Sequence, residues 1–399
     1  MRPAARIARA LAVACAVPLV LTSLATPAQA VDTWPVPRQA WIKIKGHGYG
    51  HGHGMSQYGA QGAAQQGLGF RRIAQFYYPG TAWGTARGPV RVEISADTTD
   101  DLVVLARDGL RVRDSATGTV TQLPANGATR WRIQVNGTGQ DQVAYFRAGR
   151  WRAWGGLEGE GAFSAAGAPV TLVTPSGERQ YRGRLAAVAP PSGGRARNTI
   201  NTLSLENYLK GVVPLEMPAL WKPAALQAQA VAARTYAAYE RDHRTGPLCD
   251  TTSCQVYGGF SAEHPASNDA VARTAHLALM WQGAPAFTQF GSSSGGWTSA
   301  GSVPYLPAQA DPYDDWAGNP VHSWSTRISD TLLEAHWPGI GNLTRITVLG
   351  RDGHGEWGGR VQSVRLVGGK GQVQVSGDTL RSVLGLRSTW VTFVVTQRG

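Results

Sequence analysis

"YLKGVVPLEMPALWKPAALQAQAVAARTYAAY" occupies residues 208–239, and its second half is the strongest local signal in the chain. From Pro223 to about Asp242 the stretch is alanine-rich, with proline at its first position and Leu226, Ala230, Ala233 and Ala237 recurring on one face. Proline suits a helix start, where its missing N–H has no intrahelical acceptor to lose. The pattern predicts a helix of about 20 residues, roughly 30 Å long, whose small side chains permit close packing. Upstream, Ser204 as N-cap with Glu206 in the first turn predicts a short helix. Glu216 falls between the two. Pro218 drives Met217 out of the α region, and Val212, Val213, Leu215, Met217, Leu220 and Trp221 give the carboxylate apolar company. Desolvation of that kind raises a carboxyl pKa and fits Glu216 for general acid work. The plainer alternative is a helix cap, or an ion pair with Lys210, Lys222 or Arg234.

Outward from this stretch the period changes. "VRVEIS", "LVVLA", "LRVRD", "GTVTQL" and "WRIQV", between Val90 and Val135, alternate with period two and are broken by Asp-Gly, Thr-Gly and Asn-Gly turn signals. A β-rich module over 89–200 follows, its last loop being "APPSGGRAR" at 189–197. Downstream, "APAFTQF" at 284–290 reads as a strand entering the loop "GSSSGG", and Leu332–His336 as a short helix. "LTRITVLG", "RVQSVRLVG" and "GQVQVSG" predict a small antiparallel sheet within 331–399. The expected fold class is α+β: a core at 201–330 with one long helix, the β-rich module, the C-terminal sheet completing the core, and a Gly/His segment at 31–88 joining it.

Residues 1–30 are set apart from this fold. Arg2, Arg6 and Arg9, an apolar run from Ala10 to Leu24 and Ala28-Gln29-Ala30 have the form of a signal peptide cleaved near Ala30. The expected protein is secreted, to the cell wall or beyond, and no other stretch is long and apolar enough to span a bilayer. Loss of the three arginines lowers the formal charge from +12 to +9. Such a field favours polyanions; with no basic reading helix or nucleic-acid motif, anionic wall polymers are the expected partners and nucleic acid is not. Fourteen tryptophans are compatible with stacking on sugar rings.

The stretch 208–239 resembles the signature of the SpoIID/LytB family, stage II sporulation protein D and the amidase enhancer: Y-L-x-G-V-V, then E-M-P, then A-L-x-A-Q-A and A-A-R-T-Y. The likeness continues through "CDTTSCQVYGG", "SSSGGWT", "PYLPAQADPYD", "SGDTLRSVLGLRST" and "GHGYGHGHGMSQYGAQG". It implies a lytic transglycosylase that cleaves peptidoglycan glycan strands with Glu216 as catalytic acid and base, leaving 1,6-anhydromuramic ends and requiring no cofactor. The enhancer branch implies the alternative, a non-catalytic wall-binding protein that stimulates a cell-wall amidase. A muramidase-type hydrolase would need a second carboxylate near Glu216, such as Asp311, Asp314 or Glu356. In the commoner family order the Gly/His motif follows the "LRSVLGLRST" segment; here it stands at 46–82, an order that a circular permutation explains if the two ends lie close together.

That motif, "GHGYGHGHGM" at 46–55, places His47, His51 and His53 among glycines. A metal site, a structural turn and a substrate-binding wall are all open to it. Without the rigid helix of a zinc H-E-x-x-H motif, the wall is the preferred reading, His51 and His53 donating to sugar or lactyl oxygens with Gln57 and Tyr58 beside them. Arg234 and Tyr257 are candidates to orient Glu216 or substrate. Cys249 and Cys254, the pair left once Cys15 is removed, read as a disulfide; some family members instead hold zinc here through one histidine and two cysteines, which would be His243, Cys249 and Cys254. Gly291-Ser292-Ser293-Ser294-Gly295 matches G-x-S-x-G, with Asp311 or Asp314 and His322 in hydrolase order, but no helix signal follows. The resemblance instead makes Ser293 and Ser294 part of a glycan-facing loop.

Overall fold

The helix Pro223–His243 lies at the centre of the molecule. The structure, a computed structural model, describes residues 32–398; the expected signal peptide lies outside the described residues. Leu226, Ala230, Ala233 and Ala237 are buried as predicted, but so are Ala225, Ala228, Gln229, Val231, Ala232, Arg234 and Ala238. Burial runs around the helix and not along one stripe, because the helices Gln57–Gln65, Phe70–Tyr77, Leu205–Lys210 and Pro265–Arg273 and the strand Leu277–Trp281 all pack on it. Alanine on most sides is what lets so many elements approach.

Residues 89–204 form two antiparallel sheets whose alternating apolar residues join the core around the long helix. In spatial order one sheet holds Val120–Gln122, Arg111–Asp114, Gly161–Ser164, Arg184–Val188, Asn198–Ser204 and Pro89–Glu93; Leu248–Cys249, from beyond the long helix, adds a parallel edge strand. The other runs Arg150–Gly156, Asp141–Arg147, Arg130–Val135, Leu102–Leu105, Val170–Thr174, Gly177–Tyr181. The strands expected from the period-two pattern are all present. Val90, Val92, Trp131 and Ile133 point inward and Arg91 and Arg130 outward.

A second core, built on Ile42, Ile44, Ile346, Val348, Val364, Leu366 and Phe393, holds the two ends of the described chain together. The predicted C-terminal sheet forms from Leu343–Arg351, Val361–Gly368 and Gln372–Ser376, with Asp32–Pro35 as an added edge strand. Strand Ala40–His47 lies between Ser323–Ser329 and Val391–Gln397, pairing antiparallel with both, Ile44 opposite Phe393. The expected closeness of the ends is thus a strand pairing. The strand expected at 284–290 does not form as one piece: Ala284–Pro285 and Phe290–Gly291 are extended pairs, while Phe287 N–H donates to the Tyr305 hydroxyl and Thr288 Oγ1 to the Ala232 carbonyl. Contacts with a hydroxyl and with the long helix displace the ladder there.

Candidate active site

Glu216 closes a one-turn helix, Val213–Glu216, and Met217 after it is extended at φ −127°, ψ 141°, as Pro218 requires. Its Oε1 accepts the Val256 N–H at 3.1 Å and its Oε2 accepts Gln57 Nε2 at 3.2 Å. Neither donor carries a charge. Burial raises the Glu216 pKa above the usual carboxylate range, and these two hydrogen bonds offset only part of that rise. None of Lys210, Lys222 and Arg234 pairs with it among the described residues.

Both donors are held from behind. Val256 sits on the loop after Cys254, where Gln255 accepts the Tyr208 hydroxyl at 3.2 Å and donates to the Ala233 carbonyl at 3.2 Å. The disulfide Cys249–Cys254 closes the start of this loop, and Gly258 N–H donates to the Gly211 carbonyl at 3.1 Å. Gln57 begins the helix Gln57–Gln65, whose N-cap Ser56 accepts the Gly59 N–H at 2.9 Å. The chain's Gly/His segment therefore reaches the carboxylate through Gln57.

An apolar surface flanks the acid. Tyr58 meets Trp221 edge-on at 5.0 Å and Trp316 at 6.1 Å, and Trp316 Nε1 donates to the Tyr58 carbonyl at 3.0 Å. All three rings remain partly open to solvent. Leu215 and Leu220 are 46% and 89% exposed, large apolar side chains left in water on either side of Glu216. Trp316 lies about a hundred residues along the chain from Glu216 and the Val256 donor is a backbone amide, so neither carried a sequence signal.

The histidines line a glycine loop packed on residues 289–295. A Cβ on Gly54, at φ +67°, would overlap the Gln289 carbonyl, and one on Gly52, at φ +82°, the Arg360 guanidinium. Arg360 is buried, its pKa pulled down to about 10, and donates to the Gly50 carbonyl at 3.3 Å and the Ser294 carbonyl at 3.1 Å. His53 N–H donates to His51 Nδ1 at 2.9 Å, and the rings stack at 4.9 Å. Desolvation first, then the nearby His53, Arg360 and Arg381, lowers the His51 pKa to about 4. His51 is thus neutral at pH 7 with its proton on Nε2, which faces the Phe290 backbone carbonyl. His47 turns elsewhere: its ring packs on Trp357 and Trp390, and Nε2 meets Glu356 Oε2 at 2.8 Å. No hydrogen bond or ring contact joins the three histidines to Glu216 among the described residues.

Several expected contacts are overturned by burial. Arg234 is fully buried; it donates to both carboxylate oxygens of Glu206 at 2.8 Å and to the Val271 and Leu277 carbonyls, tying the short and long helices together out of reach of substrate. Tyr257 is buried against Tyr208 and donates to Asn201 Oδ1 at 2.7 Å. Ser293 and Ser294 are buried as well, donating to Asp314 Oδ2 and Asp311 Oδ2 at 2.7 Å each, so they cannot face a glycan. The serine-hydrolase order fails on geometry: Asp314 stands between Ser293 and His322, accepting from both, whereas a triad needs histidine between serine and carboxylate. The zinc alternative does not assemble either. His243 stacks on Tyr239 at 4.0 Å, the cysteines are bonded to each other, and no cluster of three metal-ligating side chains forms among the described residues. Asp311, Asp314 and Glu356 are all engaged elsewhere, and among the described residues no carboxylate is hydrogen-bonded to Glu216 or contributes to its shifted pKa.

Fold and site define an α+β protein presenting one desolvated glutamate, held by two neutral donors, beside an aromatic surface. The model of the stage II sporulation protein family, SpoIID, matches residues 194–281. Stage II sporulation protein D of Bacillus subtilis is 30% identical over 249 residues, covering 53% of this chain and 68% of that protein. The chain belongs to the SpoIID family. The amidase enhancer of Bacillus subtilis is 42% identical over 132 residues, which are 32% of this chain and 17% of that protein, so the chain matches about a sixth of that relative's length. An uncharacterized protein of Brachyspira hyodysenteriae is 38% identical over 117 residues, 27% of this chain and 32% of its own. No helix among the described residues is long and apolar enough to cross a membrane.

Proposed function

We propose that this protein is an exported lytic transglycosylase of the bacterial cell wall, with Glu216 as its sole acid and base. The observation that carries the reading is a carboxyl raised by burial, served by two neutral donors and, among the described residues, with no second carboxylate acting on it. Protonated Glu216 gives its proton to the glycosidic oxygen as the C1–O bond breaks. The muramic 6-hydroxyl then bonds to C1 of the same residue and returns its proton to Glu216. The attacking hydroxyl is already tethered, so no second carboxyl is needed to position water. Tyr58, Trp221 and Trp316 offer rings on which pyranose faces can stack. Export rests on the signal-peptide pattern of 1–30, and the strand pairing of Ala40–His47 with Val391–Gln397 supports a circularly permuted order.

The likeness to a protein named amidase enhancer favours a second reading, a wall-binding protein whose partner is an amidase. Mass spectrometry of fragments released from intact and amidase-stripped peptidoglycan by residues 31–399 separates the two. Anhydro ends made by the wild type and absent with Glu216→Gln support the transglycosylase. Reducing ends would make it a hydrolase. No cleavage of either substrate would overturn the catalytic reading and leave the enhancer.

A further inference from the structure

The hairpin Asp141–Gly156 turns through Ala148 and Gly149 at the free edge of the six-stranded sheet, and five arginines flank its tip, Arg147, Arg150 and Arg152 on one face of the sheet and Arg130 and Arg132 on the other. Arg147 and Arg150 stand directly opposite each other across the turn, Arg152 is opposite Tyr145, and Arg130 and Arg132 come from the neighbouring strand. Like charges facing across a sheet destabilise it unless something outside compensates. Among the described residues the one ion pair these five make is Arg132 with Asp101, at 3.7 Å; Arg130, Arg147, Arg150 and Arg152 are exposed and have none. The Arg132 guanidinium lies over the Trp151 ring at 4.2 Å, and Phe146 packs on the same ring at 5.3 Å. Trp151 thus braces the Arg132 cation, while Trp154 on the same strand is left exposed.

The place of this edge matters too. The opposite edge strand, Gly177–Tyr181, meets the catalytic core through Gln180 N–H donating to Ser261 at 3.0 Å. Five strand spacings separate the two edges, about 24 Å. A polymer held at the arginine edge would leave the cleft of Glu216 uncovered.

We propose that this arginine hairpin is a docking surface for an anionic wall polymer with a phosphodiester backbone. Arginine forks match phosphate oxygens in pairs, and the comparison with single-stranded DNA decides whether the exposed Trp154 adds the base stacking typical of single-stranded nucleic-acid binders. The inference rests on the wall reading for its compartment, but its test is independent of glycan cleavage. Binding of residues 31–399 to fluorescent poly(glycerol phosphate), and to single-stranded DNA with the same number of phosphates, is measured across a salt series. The variant Arg130→Gln/Arg147→Gln/Arg150→Gln/Arg152→Gln is compared with a charge-matched control, Arg38→Gln/Arg87→Gln/Arg345→Gln/Lys370→Gln, and with lysine at the same four hairpin positions. The proposal expects the hairpin glutamine variant to lose about tenfold or more in affinity with a shallower salt dependence. The control should lose less than about threefold, as a diffuse-charge effect only, and the lysine variant, with the same charge but no fork, should fall between the wild type and the glutamine variant. Equal losses in hairpin and control variants, no binding by the wild type, or tighter binding of DNA than of poly(glycerol phosphate) would each overturn it. Glu216→Gln should bind the polymer as the wild type does, whatever becomes of the catalytic reading.

Discussion

Two buried carboxylate environments in this molecule behave in opposite ways. Asp314 accepts Ser56 at 2.6 Å, Ser293 at 2.7 Å, His322 at 2.9 Å and the Gly295 N–H at 3.0 Å. Burial pushes its pKa up, yet the donors, His322 foremost, outweigh that and hold it below the ordinary range. Among the described residues Glu216 has only the Val256 amide and Gln57 as donors, and burial wins. A carboxylate saturated with donors is a structural anion; one desolvated but sparsely served can hold a proton and give it away. The difference fits Glu216 for the chemistry proposed above, whereas Asp314 ties Ser56, the cap of the Gln57 helix, to the Ser293–Gly295 loop.

The sharpest way to break the contrast is Glu216→Gln. It keeps size and apolar contacts while removing the proton, so glycan cleavage should fall by about 10³-fold, with stability to denaturant nearly unchanged. A cleavage rate within about threefold of wild type would remove Glu216 from the chemistry. Asp314→Ala should do the reverse in kind. It leaves His322, two serines and two backbone amides without their anion, and unfolding by urea should show a loss of about 3–5 kcal/mol. A loss under about 1 kcal/mol would mean that the anion is not what organises the loop.

The disulfide tests the support behind Glu216. Cys249→Ser/Cys254→Ser should cost about 2 kcal/mol, small because the closed loop is short. It should also lower cleavage, since the loop carrying Val256 loses its tether. Loss of stability with unchanged cleavage would show that the Gln255 contacts alone position the amide.

These contrasts also show what sequence patterning can and cannot convey here. The long helix, the capped turn at Ser204 and the period-two strands were legible because they depend on local spacing. Glu216 was legible because its apolar neighbours are consecutive with it. Arg234 and Ser293 were misleading: a polar side chain in a family motif looks the same whether it faces a ligand or is buried in an ion pair. The order Ser293, Asp314, His322 matched a hydrolase along the chain, but order does not say which group stands in the middle. Trp316 joins Tyr58 and Trp221 only through the tertiary fold, and no local pattern could have announced it.

At any one pH step the effect expected at Asp311 is modest, and it completes the comparison because Asp311 lies beside Asp314 yet titrates the other way. It is faced by the Tyr77 hydroxyl at 3.0 Å, the Ser294 hydroxyl at 2.7 Å, the Tyr313 N–H at 3.2 Å and the charge of Asp314. Burial first, and Asp314 second, raise its pKa to about 7. The folded state therefore keeps a proton that the unfolded chain has released by about pH 4, so unfolding frees a proton between about pH 4 and 7. Stability must fall as pH rises through that window, with a slope approaching about 1.4 kcal/mol per pH unit from this group. Asp314, with its lowered pKa, acts below that window and in the opposite sense, its contribution disappearing on acidification. His322, raised above its usual value chiefly by Asp314, contributes most below about pH 6.5 and loses that contribution as pH climbs past its raised pKa. Urea unfolding of wild type and Asp311→Asn across pH 4 to 8 isolates the first effect. The variant should lack the downward slope between about pH 4 and 7 while keeping the loss at acid pH that belongs to Asp314. Parallel curves for the two proteins would mean that Asp311 is ionised in the fold like its neighbour, and that the hydroxyls, amides and His322 around the pair hold two adjacent anions.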